Sequence, residues 1–349
     1  MSGVSSAIIP PLLTWYDEGH RELPWRTSPT PYHVWISEIM LQQTRVEAVR
    51  GYFTRWMQAL PDIQSLAAAA EPLYMKLWEG LGYYSRVRNL HRAAVQVFEH
   101  YHGALPASYD ALLALPGIGE YTAGAIASIA FGLPVPAVDG NVLRVASRLE
   151  NDFTPITDPA CKRAVRTRFA ALMPADRPGD LNQALMELGA TVCLPNGAPL
   201  CESCPIQHLC LGYHHGNAAI LPVRAAKKAR RIEHRTVLLL RYQGMVGLTR
   251  RPDTGLLAGL WELPSVEGTL SPAQIRRVFT ERGWQCAELL SLRPAKHIFT
   301  HVEWHMTGYY VTLSAPPNEL TFVTPDALRT AYALPSAFRP FLSVTEEET

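Results

Sequence analysis

The sequence predicts two domains of different fold class, an all-α domain followed by an α+β domain. Three observations predict this division. Apolar residues recur at helical spacing to about residue 192, strand-like runs begin near Arg235, and a basic stretch lies between them. A chain of 349 residues is long enough for two or three domains with buried cores.

The composition limits the classes of protein that need to be considered. Hydrophobic residues make up 48% and charged residues 18% of the chain, as in ordinary globular enzymes. No apolar run of membrane length is free of Gly, Pro or charge, and the N-terminus lacks a charged leader, so we expect a cytoplasmic protein. The net charge of +1 provides no global attraction to nucleic acid. Any binding of DNA must therefore come from local patches and backbone amides.

Residues 31–60 are predicted to be helical, and Glu38 lies within them on the face of Val34 and Leu41. A carboxyl group on an apolar face is desolvated, which raises its pKa and makes it a suitable general acid near neutral pH. The alternative is a glutamate whose stem packs while its head reaches solvent or Arg45.

The stretch LPGIGEYTAGAI, which starts at Leu115, is the most specific pattern of the first domain. A short helix ends before Gly117 and Gly119, which are expected to allow the positive φ angles of a tight reversal, and a second helix begins near Glu120. Bare backbone N–H groups at this helix start suit a phosphate oxygen. A plain helix cap followed by a turn is the alternative interpretation.

Asp139 follows an extended segment that contains Pro134 and Pro136, and it directly precedes a predicted helix over 140–149. An aspartate at such a position is commonly an N-cap.

Four cysteines follow the helical region with the spacing C-x7-C-x2-C-x5-C, namely Cys193, Cys201, Cys204 and Cys210. Thiols this close in sequence indicate one metal centre instead of a disulfide framework. Zinc is one candidate. The single C-x2-C pair with unequal flanks favours a cubane iron–sulfur cluster.

The second half of the chain changes period after a basic linker over 214–233. The runs RTVLLLRY and MVGLTRR predict strands, HVEWHMTGYYVTL predicts a strand pair, and a helix is expected near 272–282. The linker is expected to be solvated or to lie along phosphates, and its basic residues are Arg224, Lys227, Lys228, Arg230 and Arg231.

Together, the segments SEIMLQQT, GLGYYSR, LPGIGEYTAGAI and VDGNVLR and the cysteine run resemble the adenine DNA glycosylase (MutY) family, of the helix-hairpin-helix glycosylase superfamily. The resemblance implies a monomeric repair enzyme with a 4Fe-4S cluster. Such an enzyme flips adenine out of a mispair with 8-oxoguanine or guanine in double-stranded DNA, hydrolyses its glycosidic bond and leaves an abasic site.

The resemblance also implies a role for each matched residue. Glu38 would protonate adenine N7, and Asp139 would stabilise the oxocarbenium ion or form a transient adduct. Tyr121 and Asn141 would assist them. The other implied sites are the adenine pocket (Arg26, Gln183), DNA contacts including the base-stack wedge (Gln43, Tyr83, Gly117, Gly119), the 8-oxoguanine loop (Phe299, Thr300, His301) and the cluster ligands (Cys193, Cys201, Cys204, Cys210).

Departures from the patterns of related families refine this expectation. Tyr121 stands where the similar endonuclease III group has a Schiff-base lysine, so we expect a monofunctional glycosylase. The C-terminal domain resembles a Nudix fold. Arg277 and Thr280 stand where a Nudix hydrolase needs carboxylates for magnesium, so pyrophosphate hydrolysis is not expected. Thr300 replaces the serine of the family's Phe-Ser-His loop.

These expectations give four regions. They are a six-helix barrel over 31–135, a cluster domain formed by 1–30 with 136–213, the linker 214–233, and a Nudix-like domain over 234–345. The alternatives in function are an endonuclease III-like glycosylase and lyase, a nucleotide-pool hydrolase centred on the C-terminal domain, and a DNA-binding protein without catalysis.

Overall fold

The computed structural model describes residues 4–195, 197–225 and 229–342. Its contacts divide the chain into two compact units, Met1–Ala68 with Arg88–Ala226, and Ala69–Val87 with Lys227–Thr349. The expected barrel range 31–135 thus includes a segment that groups with the second unit. Lys227 and Lys228 of the expected basic linker lie outside the described residues.

The described residues up to His214 contain helices and no strand, as their spacing predicts. In chain order the helices are α1 (Ile9–Gly19), α2 (Pro24–Thr27), α3 (Pro31–Leu41), α4 (Val46–Ala59), α5 (Ile63–Ala67), α6 (Glu71–Leu77), α7 (Ser85–His100), α8 (Tyr109–Leu113), α9 (Glu120–Phe131), α10 (Gly140–Leu149), α11 (Pro159–Ala170), α12 (Pro178–Thr191) and α13 (Leu211–His214).

The range 31–60, which was predicted to be helical, contains two separate helices, α3 and α4. The break begins after Leu41, and Gln43 has a φ of 59°, in the left-handed region that ends a helix. Local periodicity missed the break because apolar residues continue on both sides of it.

The hairpin between α8 and α9 turns at Gly117, whose φ is 76°. A Cβ at this position would lie 2.6 Å from Cβ of Asn89, so both conformation and space require glycine. Gly119 has a φ of −93° and caps α9 in an extended conformation, so the expectation of a positive φ there is wrong. Its exposed N–H still lies at a helix N-terminus, as the sequence predicts.

Close helix packing in the first unit depends on small residues. A Cβ on Gly124 of α9 would lie 2.5 Å from the carbonyl oxygen of Pro136. The extended segment before α10 therefore passes directly against α9. This contact places Asp139, three residues later, beside the hairpin.

The second unit contains a mixed sheet of seven strands. They are β1 (Arg231–Tyr242), β2 (Met245–Arg250), β3 (Trp261–Glu262), β4 (Ser265–Glu267), β5 (Cys286–Ile298), β6 (Val302–Leu313) and β7 (Thr321–Val323). The order is β3-β2-β1-β6-β5, with β4 paired to β1 and β7 to β2. The β1–β6 pair is parallel.

Two of the strand predictions need correction. HVEWHMTGYYVTL is the single strand β6 and not a strand pair. Its antiparallel partner is β5, which the sequence analysis did not identify as a strand. Most β5 residues are exposed or half-buried, so β5 lacks the buried apolar face by which strands are found.

Helices cover both faces of this sheet. The helices are α14 (Pro272–Arg282), as predicted, α15 (Pro325–Thr330) and α16 (Arg339–Leu342). Successive residues of β1 alternate between two apolar clusters, with Val237 and Leu239 in one and Leu238 and Leu240 in the other. Both faces of β1 are therefore buried.

Within the part of the chain that the structure describes, none of the helices has the length and apolarity needed to cross a membrane.

Candidate active site

The first unit contains a cavity of about 700 Å³. Eight of the residues predicted for catalysis, for the adenine pocket or for DNA contact line it: Arg26, Glu38, Gln43, Gly119, Tyr121, Asp139, Asn141 and Gln183. They come from α2, α3, the loop after α3, the hairpin, α10 and α12. The fold thus gathers residues that are up to 157 positions apart in sequence around one space.

Glu38 is buried in the wall of this cavity, with 6% of its surface exposed. The Tyr121 hydroxyl donates a hydrogen bond to its Oε2, and this bond replaces the predicted alternative of an ion pair with Arg45. Burial raises the pKa of Glu38 to about 7, and the Tyr121 hydrogen bond acts in the opposite direction. The carboxyl group therefore holds a proton in a substantial fraction of molecules at neutral pH.

Asp139 is the N-cap of α10, as its position before the helix predicts. Its Oδ1 accepts hydrogen bonds from the backbone N–H groups of Asn141 (2.9 Å) and Val142 (2.8 Å), and its Oδ2 accepts one from the Asn141 side-chain amide (2.7 Å). Burial raises the pKa of Asp139 above its ordinary value, although these three bonds and the Arg144 charge act in the opposite direction. Three donors thus stabilise the carboxylate form of Asp139, whereas Glu38 accepts a hydrogen bond from Tyr121.

Glu187 lies behind the predicted adenine pocket, and sequence reasoning missed it. Its side chain is 2% exposed and forms ion pairs with Arg21 (2.6 Å) and Arg26 (2.9 Å). Burial alone raises its pKa, but the two arginines lower it overall, so Glu187 is ionised. The pairs span more than 160 positions, and no local pattern signals them. Arg26 is therefore fixed in the cavity wall by a buried carboxylate.

Arg144 connects the Asp139 site to the backbone of the cysteine segment. Its guanidinium donates hydrogen bonds to Oδ1 of Asn141 (2.8 Å), to the Gly189 carbonyl (2.7 Å) and to the Cys193 carbonyl (2.7 Å). The orientation of the Asn141 amide is thereby fixed. The amide nitrogen must then face Asp139.

The four predicted cysteine ligands line a second, small cavity of about 30 Å³. All four are free thiols. The Arg148 guanidinium donates a hydrogen bond to Sγ of Cys193 (3.1 Å). Gln207 also lines this cavity, and its buried Nε2 has no acceptor among the described residues. Among the same residues, no three Cys, His, Asp or Glu side chains are grouped as ligands of a metal ion.

The two predicted wedge residues have left-handed backbone conformations. Gln43 has a φ of 59° and Tyr83 a φ of 47°. Both side chains are exposed, Tyr83 to 45%. A left-handed non-glycine residue costs roughly 1–3 kcal/mol, and such strain concentrates at functional positions.

In the second unit, the predicted 8-oxoguanine loop follows β5. The Phe299 ring packs between His297 (4.6 Å between centroids) and Trp304 (4.8 Å), while Thr300 and His301 are exposed. The Tyr83 hydroxyl and Oγ1 of Thr300 are 2.7 Å apart and hydrogen-bonded. A wedge residue and the loop therefore belong to one local structure.

The helix α14 carries no cluster of carboxylates at the predicted Nudix position. Arg277 pairs with Glu281 (2.9 Å), and the Thr280 hydroxyl donates to the Arg276 carbonyl (3.0 Å). Arg277 and Thr280 are thus both bonded to other groups of α14.

Comparison with known proteins agrees with this architecture. Residues 36–170 match the family described as "HhH-GPD superfamily base excision DNA repair protein", and residues 236–344 match the NUDIX domain. The adenine DNA glycosylase of Mus musculus is 38% identical over 366 residues, a match that spans 88% of this chain and 70% of the mouse protein. The chain belongs to the adenine DNA glycosylase family.

A second relative and a solved structure also match this chain. The adenine DNA glycosylase of Homo sapiens is 36% identical, with 90% of this chain and 68% of the human protein covered. The structure of a thermostable thymine-DNA glycosylase is 27% identical with a TM-score of 0.53, and covers 60% of this chain and 96% of that one. This chain therefore has the two-part layout predicted from its sequence, a helix-hairpin-helix glycosylase region followed by a Nudix-like region.

Proposed function

We propose that this adenine DNA glycosylase family member removes adenine from mispairs with 8-oxoguanine or guanine in duplex DNA and leaves an abasic site. The observation that carries the proposal is the pair of carboxyl groups, Glu38 and Asp139, which line one cavity and differ in their hydrogen-bond partners. Burial raises the pKa of both groups, to about 7 for Glu38, and at Asp139 three hydrogen-bond donors that favour the carboxylate oppose this rise. This is the arrangement that a glycosidic-bond hydrolase needs.

In the proposed reaction Glu38 transfers its proton to N7 of a flipped adenine. The C1′–N9 bond then breaks, and its electron pair leaves with the now neutral base. Asp139 faces the oxocarbenium ion that remains on the sugar and stabilises its positive charge. Water adds to C1′, and its proton is lost to a carboxylate or to solvent, which gives the abasic sugar.

The residues around this pair would orient the substrate. Arg26 and Gln183 line the cavity and offer donors and acceptors to the adenine edge, with Arg26 held by Glu187. Exposed backbone N–H groups near Gly117 and Gly119 would bind a DNA phosphate. The strained Gln43 and Tyr83 would fill the space that the flipped base leaves.

We further propose that the protein is a monofunctional glycosylase. Tyr121 holds the place of a Schiff-base lysine, and a phenol cannot form an imine with the sugar aldehyde. One lysine, Lys162 of α11, does line the cavity. Borohydride trapping therefore provides the test, with Lys162→Met as the variant that identifies the amine if any adduct forms.

The four cysteines fit a 4Fe-4S cluster better than a single ion. They line one cavity, Arg148 donates to one sulfur, and the unpaired Gln207 amide would gain an acceptor from cluster or thiolate sulfur. Such a cluster would cross-link the segment between α12 and α13. Iron and acid-labile sulfide analysis with the visible absorption spectrum tests this, and a stoichiometric zinc content would contradict it.

The central experiment measures single-turnover base release from defined duplexes with adenine opposite 8-oxoguanine, guanine or thymine. Each reaction mixture is divided into two portions, and only one portion is treated with alkali, which cleaves the strand at an abasic site. We expect release from the first two duplexes and strand scission after alkali only. No release from either duplex would reject the function, and scission without alkali would favour a glycosylase with lyase activity.

A further inference from the structure

Two side chains of the segment Ala69–Val87, one in α6 and one in the turn after it, bond to the backbone around residue 330 in the same unit. The Lys76 ammonium donates hydrogen bonds to the carbonyl oxygens of Tyr332 (3.0 Å) and Leu328 (3.3 Å). Oε1 of Glu79 accepts a hydrogen bond from the backbone N–H of Leu334 (2.8 Å). We call Lys76 and Glu79, which also form an ion pair at 2.7 Å, the clasp.

The clasp is largely buried, so its charges interact more strongly than those of a surface pair. Both side chains are only 20% exposed, so solvent screens their interactions less than those of a surface pair. Lys76 binds a carbonyl in the last turn of α15, the end at which a cation interacts favourably with the helix dipole. Removing either partner would leave half-buried polar groups of the backbone or of the other clasp residue without their hydrogen bonds.

Between the clasp and Tyr83 the chain is a short, internally bonded turn. The Trp78 indole N–H donates to the Gly82 carbonyl (3.0 Å), and the Arg86 guanidinium donates to the carbonyls of Leu81 (3.0 Å) and Gly82 (3.2 Å). The same guanidinium lies over the rings of Trp78 and Tyr83. The position of Tyr83 is therefore tied to that of Trp78, which directly precedes Glu79.

Tyr83 has a strained backbone conformation, and packing of its own exposed side chain does not account for it. Its φ is 47° and its side chain is 45% exposed. An exposed residue keeps such a backbone only when its surroundings impose it. The hydrogen bond to Thr300 is one such constraint, and the turn anchored by the clasp is the other.

We propose that Lys76 and Glu79 are positioning residues that set Tyr83 against Thr300, so that the wedge and the loop for the oxidised base form one preassembled recognition element. The inference rests on the proposed function, in which these two residues contact the mispair. The clasp then contributes to the preference for 8-oxoguanine over guanine opposite adenine, and not to the chemistry of base release.

The test compares Lys76→Met and Glu79→Gln with wild type in dissociation constants and single-turnover rates on A:8-oxoguanine and A:G duplexes. We expect the preference for 8-oxoguanine to fall about five- to tenfold, while the saturating rate on A:G is retained. Lys76→Arg, which keeps the charge and the donors, is expected to restore the preference. Arg277→Met removes one partner of an exposed ion pair on α14 and is the matched control.

A double-mutant cycle separates positioning from a general loss of stability. Tyr83→Phe keeps the wedge ring but removes the bond to Thr300, so the Lys76→Met effect on the preference should shrink in its presence. Fully additive effects, or an unchanged preference in both clasp variants, would overturn the inference.

Hydrogen exchange of residues 80–86 gives a readout that is independent of activity. We expect faster exchange in Lys76→Met than in wild type, with the same midpoint of global unfolding. If wild type released no adenine, the proposed function would fail while this measurement still tested the clasp. Unchanged exchange would reject the clasp even in an active enzyme.

Discussion

The phenolic hydroxyl of Tyr121 donates a hydrogen bond to Oε2 of Glu38, across 83 positions of sequence. This bond stabilises the carboxylate and opposes the effect of burial, and the balance leaves the pKa of Glu38 at about 7. Because the proposed reaction requires the protonated acid, base release in wild type should decline as the pH rises through about 7.

Tyr121→Phe should move this decline to higher pH. The variant removes a hydrogen bond that lowers the pKa of Glu38, so the pKa rises and the acid stays protonated further into the alkaline range. Single-turnover rates between pH 5.5 and 9.5 on an A:8-oxoguanine duplex measure the shift. A decline at the wild-type pH would show that Glu38 is not the group that titrates.

Glu38→Gln should make the protein more stable at alkaline pH while it loses activity. The pKa of Glu38 is higher in the folded chain (about 7) than its ordinary 4.5, so the folded state binds more protons and stability falls as pH rises through this interval. Above it the loss reaches up to about 3 kcal/mol. Thermal unfolding should give a higher Tm than wild type at pH 8.5 and a similar Tm at pH 4.5. Parallel Tm profiles would contradict this assignment.

Asp139→Asn should abolish most base release and leave duplex binding intact. The asparagine Oδ1 can still accept the two backbone hydrogen bonds that cap α10, so the cap is kept while the charge that would face the oxocarbenium ion in the proposed reaction is lost. We expect a rate loss of about 100-fold or more. Rates near those of wild type under single-turnover conditions would remove the proposed mechanism, and an equilibrium binding assay provides the control.

Gly189→Ala should impair catalysis through Asn141. A Cβ at position 189 would lie 2.6 Å from Cβ and 3.1 Å from Cα of Asn141, so α10 must move and the amide bonded to Asp139 moves with it. We expect the single-turnover rate to fall on the order of 10- to 100-fold. Gly19→Ala, at a helical position with open space around it, is the control. Equal rates in the two variants would show that Asn141 is not a positioning group.

Much of the fold and part of the site could be predicted because their signals are local. The hairpin, the cap at Asp139, the helix α14 and the cysteine spacing each depend on neighbours within a few positions. The strand β5 was missed because its exposed residues lack the apolar alternation of a half-buried strand. The place of Gly119 at the start of α9 was predicted. Its φ is that of a helix N-cap and not that of the turn, because Gly119 itself caps α9.

The interactions that sequence reasoning missed are those between distant segments. The pairing of Glu187 with Arg21 and Arg26 spans more than 160 positions, and the contact between Tyr83 and Thr300 spans 217. Local sequence indicates that Glu187 lies on a helix and that Thr300 lies in a loop. Only the packing of whole elements decides which side chains they meet.

The assignment of Ala69–Val87 to the second compact unit has a practical consequence for domain dissection. The polypeptide crosses from one unit to the other three times, so no single cut separates them. A truncation near residue 226 would remove the carbonyl partners of Lys76 and leave this stretch of the N-terminal fragment without its companions. Defects of such a fragment would therefore combine the loss of the second unit with a structural disturbance of the first fragment, and point substitutions separate the two effects better.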